Sequence, residues 1–316
     1  MNTFLTGNSL EIIETLPSES VHCCVTSPPY WRLRDYGVEG QIGLEQTPEE
    51  YVNKLVNVFR AVRRVLRTDG TLWLNLGDSY ASGGQGGGGS FTTERSAWKG
   101  KDKIKGWRSA PSGLKNKDLV GIPWMVAFAL RADGWFLRTD IIWEKPNAMP
   151  SSVRDRPTRS HEYIFLLSKS SRYFYDADSI REHQKTKDPI QLTFKRFNVK
   201  HINPIPSQAK VSHRADRKDS TENIKGRNKR TVWTISTKPF KGAHFAVFPP
   251  DLVRPCILAG SPKGGMVLDP FGGSGTVAMV ARELGRDSIF IDLKPQYTDM
   301  AQKRIRYGGC DIFHSG

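Results

Sequence analysis

The chain's 316 residues can hold one large domain plus a smaller module, and its hydrophobic fraction of 38% can fill a core. No stretch approaches the roughly 20 apolar residues that span a bilayer, and Met1 to Gly7 has neither a basic region nor an apolar run, so no membrane span and no secretory signal are expected. The net charge of +15 is concentrated: 181–241 carries 16 Lys/Arg against 5 Asp/Glu and 95–117 carries 8 against 1, leaving the rest slightly acidic.

In chain order, Phe4-Leu5 and Val21 to Thr26 are short strands. Thr47-Pro48-Glu49-Glu50 opens a helix with an N-cap, an N1 proline and an N3 glutamate, and Asp69-Gly70 closes it. A strand through Thr71 to Leu76, a helix over Ile122 to Ala132 and strands over Phe136 to Trp143 and Tyr163 to Leu167 come next. The last third predicts a helix over Leu252 to Ala259, a strand at Met266 to Leu268, a helix over Thr276 to Leu284, a strand at Ser288 to Ile291 and a helix over Tyr297 to Ile305. This alternation predicts an α/β fold: a mainly parallel sheet with helices on both faces.

Two turns carry chemistry. Thr26-Ser27-Pro28-Pro29-Tyr30-Trp31 follows a strand, and its two prolines fix φ and remove two N–H groups, so the turn offers carbonyls and the Ser27 hydroxyl as acceptors beside an aromatic ring. That suits a flat molecule bearing an amino group. Asp269-Pro270-Phe271-Gly272-Gly273-Ser274-Gly275-Thr276 lies between a strand and a helix, with glycines that let the backbone approach a ligand closely and N–H groups at the helix start. Asp269 can accept from an ammonium group, Phe271 can cover an adenine, and Asp292 ends the next strand, where a carboxylate can take both ribose hydroxyls. No phosphate-binding G-x-x-x-x-G-K-[ST] is present, which argues against a nucleotide triphosphatase.

The pair resembles the amino-methyltransferases of DNA, whose fingerprint joins a [DNS]-P-P-[YFW] catalytic turn to a D-P-F-x-G-S-G-T loop. The catalytic turn comes first here, which resembles the permuted β group; glutamine- and RNA-modifying relatives usually carry the reverse order. The resemblance, from about Phe4 to about Tyr307, implies a Rossmann-like, circularly permuted fold with Met266 to Leu268 as its first strand, Ser288 to Ile291 as its second and the next from the N-terminus. It also implies S-adenosylmethionine as cofactor. Catalysis falls to Ser27, Pro28, Pro29 and Tyr30, with Tyr30 stacking on a base flipped from duplex DNA. The cofactor falls to Asp269 through Thr276 and Asp292, joined by Phe248 in the segment Phe245 to Ile257 and by Asn8, which stands where the family usually has aspartate.

Serine at the head of the turn favours cytosine N4 over adenine N6, because the family's cytosine-N4 members mostly read S-P-P-Y and its adenine members D-P-P-Y. Both a hydroxyl and a carboxylate can accept from an exocyclic amine, so adenine stays open. Carbon methylation would need a cysteine nucleophile, for which Pro255-Cys256 is the candidate, in an apolar helical pattern. An RNA base methyltransferase and a non-catalytic DNA-binding regulator are the other readings. Asp155, Arg156, His161 and Glu162 either flank the target base or form a loop salt-bridge cluster, and Asp78 is a plausible site wall.

The domain expectation is a catalytic unit over 1–180 and 239–316, a flexible basic insertion over 81–118 that begins at the glycines around Gly83 to Gly89, and a target-recognition region over 181–238. Cys23, Cys24, Cys256 and Cys310 show no metal spacing, so reduced thiols and no metal are expected. Expected partners are duplex DNA and a cognate restriction endonuclease, in the cytoplasm of a bacterial or phage-infected cell.

Overall fold

The computed structural model describes residues 1–81, 113–182, 226–237 and 249–306. Phe248, Cys310 and most of the two basic segments lie outside them. The elements run β1 (Asn2–Thr6), α1 (Ser9–Thr15), β2 (Val21–Thr26), α2 (Pro48–Val65), β3 (Leu66–Leu76), α3 (Ile122–Ala132), β4 (Phe136–Glu144), β5 (His161–Ser168), β6 (Val232–Thr234), α4 (Pro250–Gly260), β7 (Met266–Asp269), α5 (Thr276–Glu283), β8 (Asp287–Asp292) and α6 (Pro295–Arg306).

These strands form one sheet in the order β1-β8-β7-β2-β3-β5-β4-β6. β5 runs against both neighbours, and the other pairings are parallel. β7 therefore leads to β8 and then β1, as a permuted chain requires: Phe4 pairs with Phe290. Alternate strand residues serve opposite faces. Cys24, Leu72, Leu74, Phe165 and Leu268 join one core with Ile13, Leu55, Phe59, Val62 and Leu130 of α1, α2 and α3. Cys23, Val25, Trp73, Ile164 and Val267 join another with Leu252, Ile257, Val277 and Val280 of α4 and α5. Ala301 and Ile305 of α6 complete the second face around Phe290.

Helix α2 begins where the sequence indicates, with Thr47 and Glu50 making both bonds of the capping box. It ends earlier, at Val65 instead of Asp69-Gly70: the Leu66 N–H reaches the Val62 carbonyl, and Leu66 is buried as the first residue of β3. The polar residues 67–69 are exposed, and the β2–β3 register shifts between Val21/Leu66 and Cys23/Thr71. Two elements had no strong pattern. α1 has seven residues, and β6 has three, of which only Trp233 is buried. β6 lies within the segment assigned to target recognition, yet it pairs with β4 and packs Trp233 against Trp73, so residues 232–234 form the edge strand of the main sheet.

The chain turns in opposite directions from the adjacent strands β7 and β2, through α5 toward β8 and through α2 toward β3. Such a switch point opens a crevice at the carboxyl ends of the strands. Away from it, Gly260 lets the end of α4 lie close against the sheet: an added Cβ would lie 2.6 Å from Trp73 Nε1, 2.7 Å from Cys23 Sγ and 2.8 Å from Thr71 Oγ1. Gly260→Ala is expected to cost about 1–3 kcal/mol by overpacking, measured as a lower midpoint in denaturant with unchanged slope.

Candidate active site

Asp269 ends β7 beside Thr26 at the end of β2, and the two are joined by a 2.7 Å bond from Thr26 Oγ1 to Asp269 Oδ1. The same oxygen takes the Phe271 N–H at 3.1 Å. Asp269 is 2% exposed, and burial raises its carboxyl to about 7. Ser9 donates to the Pro270 carbonyl at 2.6 Å, tying the start of α1 to the same turn. Asp292, at the end of β8, accepts from Gly273 and Lys294 N–H groups, one on each oxygen and each at 2.8 Å, and burial raises its carboxyl too. Tyr36 and Tyr297 meet edge to face beside it, with Lys294 over both rings.

The glycines of this turn answer to packing inside the protein. A Cβ on Gly272 would sit 2.1 Å from the Phe290 ring, and one on Gly275, at φ 76°, would sit 2.6 Å from Ala301 Cβ. Close approach of a ligand, the sequence-level reason for these glycines, is therefore not needed to explain those two. Ser274 and Thr276 are buried, and both hydroxyls accept from Arg304 of α6 at 3.0 Å. Asn8 caps α1, its Oδ1 taking the Leu10 N–H at 2.9 Å. Phe271 is partly buried against the α1–α3 core.

The proline turn, the candidate catalytic turn, leaves β2 immediately after Thr26. Its Pro29 carbonyl accepts from Tyr51 at 2.7 Å and its Tyr30 carbonyl from the Leu33 N–H at 3.2 Å, whereas the Pro28 carbonyl has no hydrogen bond among the described residues. Trp31 is anchored through Nε1 to the Glu45 carbonyl at 3.0 Å. The Tyr30 ring lies on Gly77, where a Cβ would fall 2.4 Å from it. Its hydroxyl is 2.7 Å from Glu162 Oε2, 3.1 Å from Asn75 Oδ1 and 3.5 Å from Ser27 Oγ. Burial, and then the Glu162 charge, push this phenol far above its ordinary range.

The remaining candidates part company. Glu162 reaches the catalytic turn. Asp155 is exposed and paired with Lys117 at 2.7 Å, Arg156 lies over the Tyr80 ring, and the His161 imidazole, lowered by burial and by Arg159, packs edge to face on Tyr163. Asp78 is committed to the start of α3, taking the Gly121 and Ile122 N–H groups at 2.9 and 3.1 Å, with Arg159 3.5 Å away. Cys256 is 2% exposed in α4, bonded to the Leu252 carbonyl, and burial raises its thiol, so it is no nucleophile. No group of His, Cys, Asp and Glu suited to a metal occurs among the described residues. No described helix is long and apolar enough to cross a membrane.

Residues 21–303 match the family model of the N6/N4 DNA methylases, "DNA methylase". The chain belongs to that family. The Type II methyltransferase M.SmaI of Serratia marcescens is 49% identical over 95% of this methylase and 89% of its own length, and M.Cfr9I of Citrobacter freundii is 46% identical over 96% and 87%. Among solved structures, the PvuII DNA methyltransferase (cytosine-N4-specific) aligns with a TM-score of 0.61 at 20% identity, covering 96% of this chain and 86% of that one. The M1.HpyAVI complex with SAM aligns at 0.51 and 16%, covering 96% and 100%. Methylases of this family draw the methyl group from S-adenosylmethionine.

Asn75 and Lys145 were not singled out from the sequence. Asn75 had a legible signal, a polar residue on the Trp73 face of an otherwise apolar strand, and it is 2% exposed. Asp269 gives the methylase a measurable signature. Its carboxyl stays protonated in the folded chain up to about pH 7, but ionises near pH 4 when unfolded. The unfolded state thus binds fewer protons between those values, and stability falls as pH rises through that window. Asp269→Asn should flatten this decline in unfolding free energy between pH 4 and 7. A decline of unchanged size would place its cause elsewhere.

Proposed function

We propose that this methylase transfers the methyl group of S-adenosylmethionine to the N4 amino group of a cytosine flipped out of duplex DNA. The observation that carries the reading is the 2.7 Å bond between Thr26 and Asp269, which holds the acceptor-rich turn and the glycine turn at the ends of neighbouring strands. The second turn fits the cofactor. Asp269, whose carboxyl is raised to about 7 by burial, would ionise on pairing with an ammonium group, and Asp292 suits ribose hydroxyls and Phe271 the adenine face. Bound there, S-adenosylmethionine supplies an electrophilic methyl group.

The chain's own task is to make the amine a nucleophile. A cytosine amino lone pair is delocalised into the ring, and it becomes available when acceptors hold both N–H bonds out of plane. Ser27 Oγ and the Pro28 carbonyl are those acceptors, with the Tyr30 ring stacked on the base and the methyl group displaced in line. Cytosine is favoured over adenine by Ser27, and the PvuII neighbour's stated specificity agrees. The amine proton leaves after transfer, and no covalent enzyme intermediate is required.

Residues 1–180 with 239–316, completed at the sheet edge by β6, act as the catalytic unit, and the basic segments within 81–118 and 181–238 hold DNA, the second reading its sequence. A cognate endonuclease in the same bacterial or phage-infected cell is the proposed companion, by analogy with the Type II names of the relatives.

Nucleosides from duplex DNA incubated with the protein and S-adenosylmethionine should contain N4-methylcytosine by mass spectrometry. Tyr30→Ala should lower the rate by about 100-fold or more. N6-methyladenine would keep the mechanism and overturn the base, and methylated RNA with unmodified DNA would overturn the substrate. DNA affinity should fall steeply with salt, by a logarithmic slope of about 0.9 per phosphate contacted. A flat dependence would remove the basic segments from DNA binding.

A further inference from the structure

Glu162 on β5 and Asn75 on β3 converge on the phenol of Tyr30, and Lys145 just past β4 backs Glu162. Asn75 Nδ2 donates to Glu162 Oε2 at 3.2 Å and to the Tyr163 carbonyl at 3.1 Å, so its Oδ1 is turned toward Tyr30. Lys145 pairs with the other Glu162 oxygen, and both side chains are largely buried, at 19% and 16% exposure. Its ammonium also lies 4.2 Å above the Trp143 ring, which fixes the pair from the far side.

Tyr30 has one proton and two acceptors in front of it. The bond to a carboxylate is the stronger, and it is also the shorter, 2.7 Å against 3.1 Å. With its proton committed to Glu162, the Tyr30 oxygen can only accept from Ser27, whose Oγ lies 3.5 Å away, a long contact for two hydroxyls. A serine hydroxyl can give or take a hydrogen bond. Only the second is useful against an amino group, and a freely turning Ser27 could instead offer its proton to the ring nitrogen beside that group.

The geometry points to Glu162 as a positioning residue that acts through Tyr30 to direct the Ser27 proton inward, leaving Ser27 an acceptor only toward the target amine. This rests on the amino-methylation reading above. It gives the Tyr30 hydroxyl a task separate from stacking by its ring. It also gives the Glu162–Lys145 pair a purpose beyond joining β5 to β4.

The test is a kinetic cycle of Tyr30→Phe, Glu162→Gln and the double variant, with S-adenosylmethionine binding measured on each. Each single substitution should lower kcat by about 10- to 100-fold, the value of one hydrogen bond to a charged group. KM for DNA and cofactor affinity should stay within about twofold, as expected for a loss of transition-state stabilisation alone. The double variant should be no slower than the slower single one, because without the phenol Glu162 has nothing to direct. Multiplying effects, wild-type kcat in Glu162→Gln, or a loss confined to KM would overturn the proposal. If Glu162→Gln fails to bind cofactor, Glu162→Asp takes its place under the same criteria. An inactive wild-type protein would instead sink the reading on which the proposal rests.

Discussion

A buried hydrogen bond, from the Thr26 hydroxyl to the Asp269 carboxyl, joins an early and a late part of this chain at the candidate site. Thr26 is the last residue of β2 and Asp269 the last of β7, more than two hundred residues later, yet the strands are neighbours. Burial of Asp269 makes its charge expensive, so the carboxyl needs the hydroxyl as much as it positions it. Both of the turns singled out in the sequence extend from these two strand ends.

The antiparallel strand β5 explains how distant residues join them. Running against β3 and β4, it brings its first residues, His161 and Glu162, to the edge where the parallel strands finish. Asn75 and Glu162 then meet Tyr30 from strand positions, and Lys145 pairs with Glu162 from just beyond β4. Rigid strand ends hold such a group more precisely than loops could.

Much of this was legible before any coordinates. The capping box of α2, the apolar runs of β2, β3 and β5 and the order of the two motifs are local signals, and each produced the element it indicated. α1 and β6 were missed because seven and three residues carry too little periodicity. The end of α2 was misplaced because Asp69-Gly70 is a helix-stop signal, but burial of Leu66 against the sheet won. The partners of Tyr30 were illegible for a different reason: Asn75 and Glu162 lie 45 and 132 residues away, and only strand register brings them together. Asp155 and Arg156, in the connection between β4 and β5, make surface contacts of their own with Lys117 and Tyr80.

The glycine turn carries a lesson about inheritance. Because Gly272 yields space to Phe290 and Gly275 to Ala301, selection for folding alone would preserve the motif. A duplicated gene that lost the serine of its proline turn could therefore keep these glycines for as long as it kept its shape. In decayed copies of such genes, the glycines would record a surviving fold, and the state of the proline turn would be the record of surviving chemistry.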